Sequence, residues 1–137
     1  MRYVVAGALL RERAGGGREL LLAQRSYPPE VAGLWELPGG KCGPGETRAA
    51  ALERELDEEL DVRVVAGAPL TEQVRLREDL LLVAHWAELV AGTPRAVEHQ
   101  DLIWVDAAEL AALAARGALV PADTAWLPEL TVALDVR

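Results

Sequence analysis

Cysteine, histidine and long apolar runs are all scarce in this chain. There is one cysteine, Cys42, so no disulfide can close within it, which fits a reducing compartment. With one cysteine and two histidines, no Cys/His set at zinc-ligand spacing exists. No run of about 18 apolar residues is present, which argues against a transmembrane helix and against a membrane partner. The opening stretch MRYVVAGALLRER holds a short apolar run, Tyr3 to Leu10, but Arg11 and Arg13 follow where a signal peptide would have its small-residue cleavage site. A buried first strand and a cytoplasmic location are therefore expected. Positive charge is short as well: 14 Lys and Arg against 22 Asp and Glu give a net charge of -8. Bulk charge of that sign attracts neither duplex nucleic acid nor an anionic membrane. No polymeric nucleic acid is expected as a partner, and a polyphosphate ligand would need local positive groups or a metal.

What is present is an ordinary globular composition, 51% hydrophobic and 26% charged over 137 residues. One domain spanning residues 1–137 with a real core is expected. Tyr3–Leu10 reads as a strand, AGGGRE (14–19) as a hairpin turn and Leu20–Gln24 as the returning strand. SYPPEVAG (26–33) is a loop, broken by Pro28 and Pro29. LWELPGGKCGPGE (34–46) is a short strand entering a Gly/Pro-rich loop. Thr47 can cap a helix from about Arg48 to Leu60, with Ala50 where a capping box would want Glu or Gln. Val62–Ala66, Leu80–Val90 and Leu102–Val105 read as strands. Asp106–Arg116 reads as a helix stopped by Gly117, and Pro121 to about Leu134 as a last helix. Interleaved strands and helices with one hairpin predict an α/β fold, a mixed sheet with helices on its faces.

The segment RELDEEL (54–60) crowds Glu55, Asp57, Glu58 and Glu59 into about two turns. Leu52, Leu56 and Leu60 form the stripe that faces a core. Glu55, Glu58 and Glu59 gather beside that stripe, whereas Glu53 and Asp57 point elsewhere and read as solvated surface. Arg54 is four residues before Glu58 and can pair with it. Carboxylates converging at a core edge are costly unless a cation neutralises them, and oxygen-only ligands suit Mg²⁺ or Mn²⁺. A merely solvated acidic face is the alternative. The preceding GGKCGPGE loop lets backbone approach a ligand closely, and the helix N-terminus favours an anion. A phosphate chain bridged by Mg²⁺ would suit both features.

Residues 40–62, GKCGPGETRAAALERELDEELDV, resemble the Nudix box, G-x5-E-x7-R-E-U-x-E-E-x-G-U with U aliphatic. Gly40, Glu46, Arg54, Glu55, Leu56, Glu58, Glu59 and Val62 match in register, and Asp61 replaces the second glycine. Asp tolerates the left-handed conformation expected there better than most residues. The resemblance implies an α/β/α sandwich, with Mg²⁺ or Mn²⁺ held by the Gly40 carbonyl, Glu55 and Glu59. Glu58 would be a ligand or orient the water, and Arg54 and Glu46 would orient the carboxylates. Glu55 is one candidate for the general base.

The stretches AQR…LWELPGGK (23–41), EHQDLIWV (98–105) and VPAD (120–123) extend the resemblance to MutT-type nucleoside triphosphate pyrophosphohydrolases. That match implies Arg25 gripping phosphates, Lys41 adding a point charge, and Glu98 as an additional metal ligand or base. In-line attack by an activated water on the nucleoside triphosphate would release pyrophosphate and leave the monophosphate. Asp123 stands where 8-oxoguanine-reading members carry Asn. An ionised Asp only accepts, which suits the amino group of cytosine and resembles the CTP- and dCTP-preferring branch. Asp123 as a plain helix cap is the other reading. Sanitation of 8-oxo-dGTP and a non-catalytic nucleotide-binding module are the rival functions, and a homodimer is left open.

Overall fold

The computed structural model describes residues 1–135. In chain order it has strands β1 (Arg2–Glu12), β2 (Arg18–Gln24), β3 (Trp35–Glu36) and β4 (Gly39–Lys41). Helix α1 (Arg48–Leu60) comes next, then β5 (Arg63–Arg77), β6 (Leu80–Ala91) and β7 (Asp101–Val105). Helix α2 (Ala107–Ala115), a 3₁₀ helix (Pro121–Trp126) and α3 (Leu127–Asp135) complete it.

The sheet is mixed, as the sequence predicts, and β1 is its spine. Along one side β1 runs parallel to β6, from Arg2 opposite Leu80 to Leu9 opposite Ala87. Along the other it pairs antiparallel first with β4, at Val4–Ala6, and then with β2, at Leu10–Glu12. The strand order is β3-β2-β1-β6-β5, with β4 also beside β1 and β7 beside β2. A strand paired on both sides and covered on both faces needs a continuous apolar run, and residues 5–9 of β1 are all buried.

One face of the sheet is covered by α1. Its stripe of Ala51, Leu52, Leu56 and Leu60 is fully buried against Val5, Leu9, Leu21, Val62 and Val64. Each buried leucine contributes roughly 1.5–3 kcal/mol. The other face packs Ala6, Ala8, Leu22 and Leu82 under Leu110, Leu113, Trp126, Leu130 and Leu134 of the C-terminal helices. The Trp126 indole N–H donates to the Glu72 carbonyl at 2.9 Å, so the largest buried side chain keeps no unpaired donor.

Helix α1 begins as expected, with the Ala50 N–H donating to Thr47 Oγ1 at 3.1 Å. It ends at Asp61, which adopts φ 58 and ψ 44, the left-handed conformation anticipated for the substituted glycine. Helix α2 has a complete capping box, with Asp106 and Glu109 exchanging hydrogen bonds of 2.8 and 3.0 Å.

Three expectations are corrected. Strand β5 continues to Arg77 rather than stopping at Ala66. Its register against β6 shifts between Ala66 and Pro69 and again before Gln73, so the side-chain alternation that marks a strand is interrupted. The edge position tolerates Pro69. The final helix is two pieces, since Pro121–Trp126 is a 3₁₀ segment and α3 starts only at Leu127, with Pro128 in its first turn. Finally, Glu53 is not idle surface: its Oε2 accepts the Ala66 N–H at 2.9 Å, tying α1 to β5. No helix among the described residues is long and apolar enough to cross a membrane.

The conformation of Asp61 yields a stability test. Glycine adopts φ near +60° without steric cost, and the exposed Asp61–Arg95 ion pair that it would lose contributes little. Asp61→Gly should raise the melting temperature by about 2–5 °C, equivalent to roughly 0.5–1 kcal/mol. Asp61→Val should lower it. Thermal unfolding followed by circular dichroism checks both.

Candidate active site

The site forms where β4 delivers its loop to α1. Gly39 and Gly40 lie opposite Ala6 and Val5 of β1. A side chain on Gly39 would overlap the Val5 carbonyl, and one on Gly40 would overlap the Glu55 carboxylate. Both glycines are therefore required by close approach, and Gly40 forms a backbone wall against Glu55.

Arg54 organises the carboxylates around that wall. Its guanidinium holds Glu46 in a two-pronged pair at 2.8 and 2.9 Å, Glu55 Oε1 at 3.0 Å, Glu58 at 3.3 Å and the Lys41 carbonyl at 3.0 Å. Glu46 also accepts the Gly43 N–H at 2.8 Å. The hydrogen bonds from Arg54, then that from Gly43, pull the Glu46 carboxyl down to about 2. The hydrogen bonds to Glu46 and Glu55 raise the pKa of Arg54, which stays charged.

Glu55 and Glu59 line one cleft of about 470 Å³ together with Gly40, Lys41, Arg25 and Asp123. The Oε2 atom of Glu59 is buried without a hydrogen-bond partner. Burial raises the Glu59 carboxyl to about 7, opposed by nearby His99 and reinforced by Glu55, Glu98 and Glu36. Glu58 differs: its side chain is 57% exposed and turned to Arg54. No three His, Cys, Asp or Glu side chains among the described residues stand together as a ready-made metal group. The expected convergence of Glu55, Glu58 and Glu59 is thus corrected to Glu55 and Glu59 on the cleft, with Glu58 drawn outward by Arg54.

A side recess of the cleft, about 60 Å³, brings Glu98 beside Glu59, Arg25, Glu36 and His99. Arg25 does not stand free. Its Nη1 donates to both oxygens of Glu36 at 3.3 and 3.2 Å, and its Nε donates to the Tyr27 carbonyl at 2.9 Å. Lys41 is exposed at the rim. A larger cavity, about 650 Å³, lies at the β1–β2 turn. Both of its arginines are already paired, Arg13 with Asp106 at 2.6 Å and Arg18 with Glu12 at 3.5 Å, and we place no chemistry there.

Asp123 is buried at the other end of the cleft, among Val4, Ala6, Leu37 and Leu82. It is not a helix cap, because Val120 holds the cap position of the 3₁₀ helix and no side chain caps it. Its Oδ2 instead accepts the Leu37 N–H at 2.8 Å. Burial raises the carboxyl to about 8, opposed by that hydrogen bond, aided by Glu36 and opposed by Arg25. Burial therefore favours the neutral form of Asp123 far more than that of an exposed Asp, against the expectation of an ionised, acceptor-only group.

Glu36, His99 and Tyr27 line the recess but were not among the sequence candidates. For Glu36 the signal was a lone carboxylate between Trp35 and Leu37 in a strand entering the core.

The chain matches the NUDIX domain family over residues 1–130. A Mycobacterium tuberculosis protein, provisionally named 8-oxo-dGTP diphosphatase 2, is 44% identical over 98% of this chain and 91% of its own. The Escherichia coli CTP pyrophosphohydrolase is 36% identical over 90% and 87%. Among solved structures, the E. coli ORF135 protein is 38% identical with a TM-score of 0.68, covering 97% of this chain and 87% of its own. A MutT NUDIX hydrolase from Burkholderia pseudomallei is 30% identical with a TM-score of 0.69, covering 93% and 95%.

The buried Asp123 carboxyl links stability to pH. Its folded pKa of about 8 lies above the ordinary 3.8, so the folded state binds the proton more tightly than the unfolded chain. The associated stability is complete below pH ~4 and is lost as pH rises through about 8. Asp123→Asn keeps an acceptor for Leu37 but cannot titrate. The fall in melting temperature between pH 5 and pH 8.5 should be smaller in Asp123→Asn than in wild type by ~3 °C or more. Parallel pH–melting curves measure this, and identical slopes would show that Asp123 does not titrate in that range.

Proposed function

The chain belongs to the Nudix hydrolase family, and from that premise we propose that it hydrolyses cytosine nucleoside triphosphates. CTP, dCTP and 5-substituted cytosine forms would yield the monophosphate and pyrophosphate. Nudix hydrolases generally use divalent metal ions such as Mg²⁺ or Mn²⁺, and the donor set here fits one. Glu59 has a buried oxygen with no partner, Glu55 is pressed against the Gly40 backbone, and all the donors are oxygen, which suits a hard cation. We assign the Gly40 carbonyl, Glu55 and Glu59 to hold it, with Glu58 and Glu98 as further candidates. When bound, the cation neutralises phosphate charge and polarises the attacked phosphorus.

The protein groups have separate tasks. Arg54 fixes Glu55 through one oxygen, which leaves Oε2 turned to Gly40. Arg25 and Lys41 bring positive charge to the phosphates in an otherwise acidic cleft. Glu55 or Glu98 takes the proton of the attacking water. No covalent intermediate is required, and Cys42 takes no part: its thiol faces the carbonyls of Glu46 and Thr47.

Asp123 at the apolar end of the cleft is the observation that carries the base preference. The Leu37 N–H marks Oδ2 as acceptor, so in the neutral form, which burial favours, the proton sits on Oδ1. A group of that polarity offers one donor beside one acceptor. Cytosine presents its amino donor beside the N3 acceptor and matches. Thymine presents the reverse order. The N7–H and O6 of 8-oxoguanine form the same kind of pair, so 8-oxo-dGTP is the second reading, in line with the name of the M. tuberculosis relative.

A nucleotide panel with Mg²⁺, scored for pyrophosphate release, tests the proposal. Wild type should favour dCTP over dTTP, and Asp123→Ala should lower kcat/KM for dCTP by about 10- to 150-fold, or roughly 1–3 kcal/mol. Turnover of dTTP should change far less. A dCTP-to-dTTP ratio unchanged by the substitution would remove Asp123 from base reading. Higher kcat/KM for 8-oxo-dGTP than for dCTP would favour the second reading.

Metal binding has its own test without nucleotide. Millimolar Mg²⁺ should raise the melting temperature, because a ligand of the native state stabilises it by mass action. The gain should be larger at pH 8 than at pH 6, since the Glu59 carboxyl, held at about 7, must release its proton to ligate. Glu59→Gln should lose most of the gain. No Mg²⁺ effect at either pH would contradict a preformed site.

A further inference from the structure

The recess beside Glu98 contains a contact that the proposed chemistry leaves unused. The His99 Nε2–H donates to Glu36 Oε2 at 3.1 Å, and the side chains are only 10% and 14% exposed. The same Glu36 carboxylate binds Arg25 Nη1 through both oxygens. One carboxylate thus joins the residue next to Glu98 to the guanidinium assigned to phosphate. The two groups come from distant parts of the chain, Arg25 just after β2 and His99 just before β7.

Backbone bonds hold only the flanks of this loop. The Val97 N–H donates to the Glu59 carbonyl at 3.1 Å, at the end of α1, and the Gln100 N–H donates to the Gln24 carbonyl at 2.9 Å, at the end of β2. Glu98 and His99 bridge between these anchors, and the His99 ring is the side chain of the pair that reaches inward to a partner. Glu98 has no hydrogen bond of its own among the described residues.

We propose that His99 is a positioning residue: through Glu36 it fixes the Glu98 loop and the Arg25 guanidinium relative to each other. This deepens the pyrophosphohydrolase reading and rests on it for the roles of Glu98 and Arg25. Removing the ring leaves both backbone anchors able to form, so the fold persists, but without the ring they open more often. It frees Glu98 to move and leaves Glu36 with Arg25 as its one side-chain partner. A displacement of about 1 Å at such a group costs up to about 100-fold in rate, and partners that orient ligating carboxylates are typically worth about 10- to 100-fold.

The test compares wild type, His99→Ala, His99→Gln, Glu36→Gln and the His99→Ala/Glu36→Gln double variant, each with its native loop and Mg²⁺ present. Hydrogen exchange of residues 95–100 reads the anchoring without turnover. Pyrophosphate release reads kcat and KM. His99→Ala should speed exchange in that segment alone and lower kcat/KM by about 10- to 100-fold. His99→Gln, whose amide N–H can reach Glu36, should recover most of both. The double variant should lose no more than the worse single variant, because both act through one contact. Unchanged loop exchange in His99→Ala overturns the proposal, as does faster exchange with kcat/KM within about twofold of wild type, or additive losses in the double variant. A wild type that releases pyrophosphate from no nucleotide would overturn the functional reading, and with it the positioning of a reaction; the exchange data would then decide the anchoring alone.

Discussion

The guanidinium of Arg54 is the interaction on which the site depends. Helix α1 presents Glu55, Glu58 and Glu59 within five residues, and the loop before it adds Glu46. Left alone these charges would repel at helical spacing. Arg54 takes one oxygen of Glu55, both of Glu46 and the outward Glu58, and its remaining N–H holds the Lys41 carbonyl. The loop, the helix and β4 are thereby fixed to a single planar group. Its side chain is 38% exposed, so solvent screening keeps its contribution to stability small. What it contributes is geometry. A lysine would carry the same charge yet could not hold Glu46 in two parallel bonds while still reaching Glu55 and Lys41.

That cluster is useful only because β1 carries it to a fixed place. β1 uses one edge for β6 and divides the other between β4 and β2, so Gly39 and Gly40 are clamped against Val5 and Ala6 while Leu52 and Leu56 pack on the same strand from above. The Gly40 backbone and the Glu55 carboxylate meet because two layers of the core meet there. A side chain at Gly39 would push β4 off β1, and one at Gly40 would displace the Glu55 carboxylate, so either would deform the cleft.

Legibility in the sequence followed the range of the contacts. The α1 stripe, the Thr47 cap and the Arg54–Glu58 pair are local, and all can be read from the spacing of residue types. The left-handed Asp61 and the roles of Arg54 and Glu46 came with the box pattern, which did not announce that Arg54 and Glu46, eight residues apart, pair with each other. Glu36 and His99 are 63 residues apart, and nothing in the periodicity of either segment announces that they meet. Glu53 looked idle because its partner is a backbone N–H on β5, and backbone partners leave no mark on composition. Strand β5 was cut short because its irregular register removes the alternation by which strands are recognised. Asp123 followed Pro121 and so read as a helix start, but its partner is the Leu37 N–H, 86 residues away.

Burial has opposite consequences at the two ends of the cleft. At Glu59 it leaves an oxygen without a partner and holds the carboxyl near 7, so a cation that neutralises the oxygen also drives off the proton. At Asp123 an N–H already satisfies one oxygen, and burial holds the other in its protonated form up to about 8. On the proposed roles these states are the required ones, an ionised carboxylate for a cation and a neutral carboxyl for a base edge that pairs a donor with an acceptor. Arg25 and Glu36 lie between them and bear on Asp123 with opposite signs. On those roles the phosphate end and the base end of the cleft are coupled electrostatically through the same Arg25–Glu36 pair that binds His99. Removing the charge of Glu36 would take away one of the influences that keep Asp123 protonated while releasing Arg25, so on those roles a change made for the phosphates would also be felt at the base.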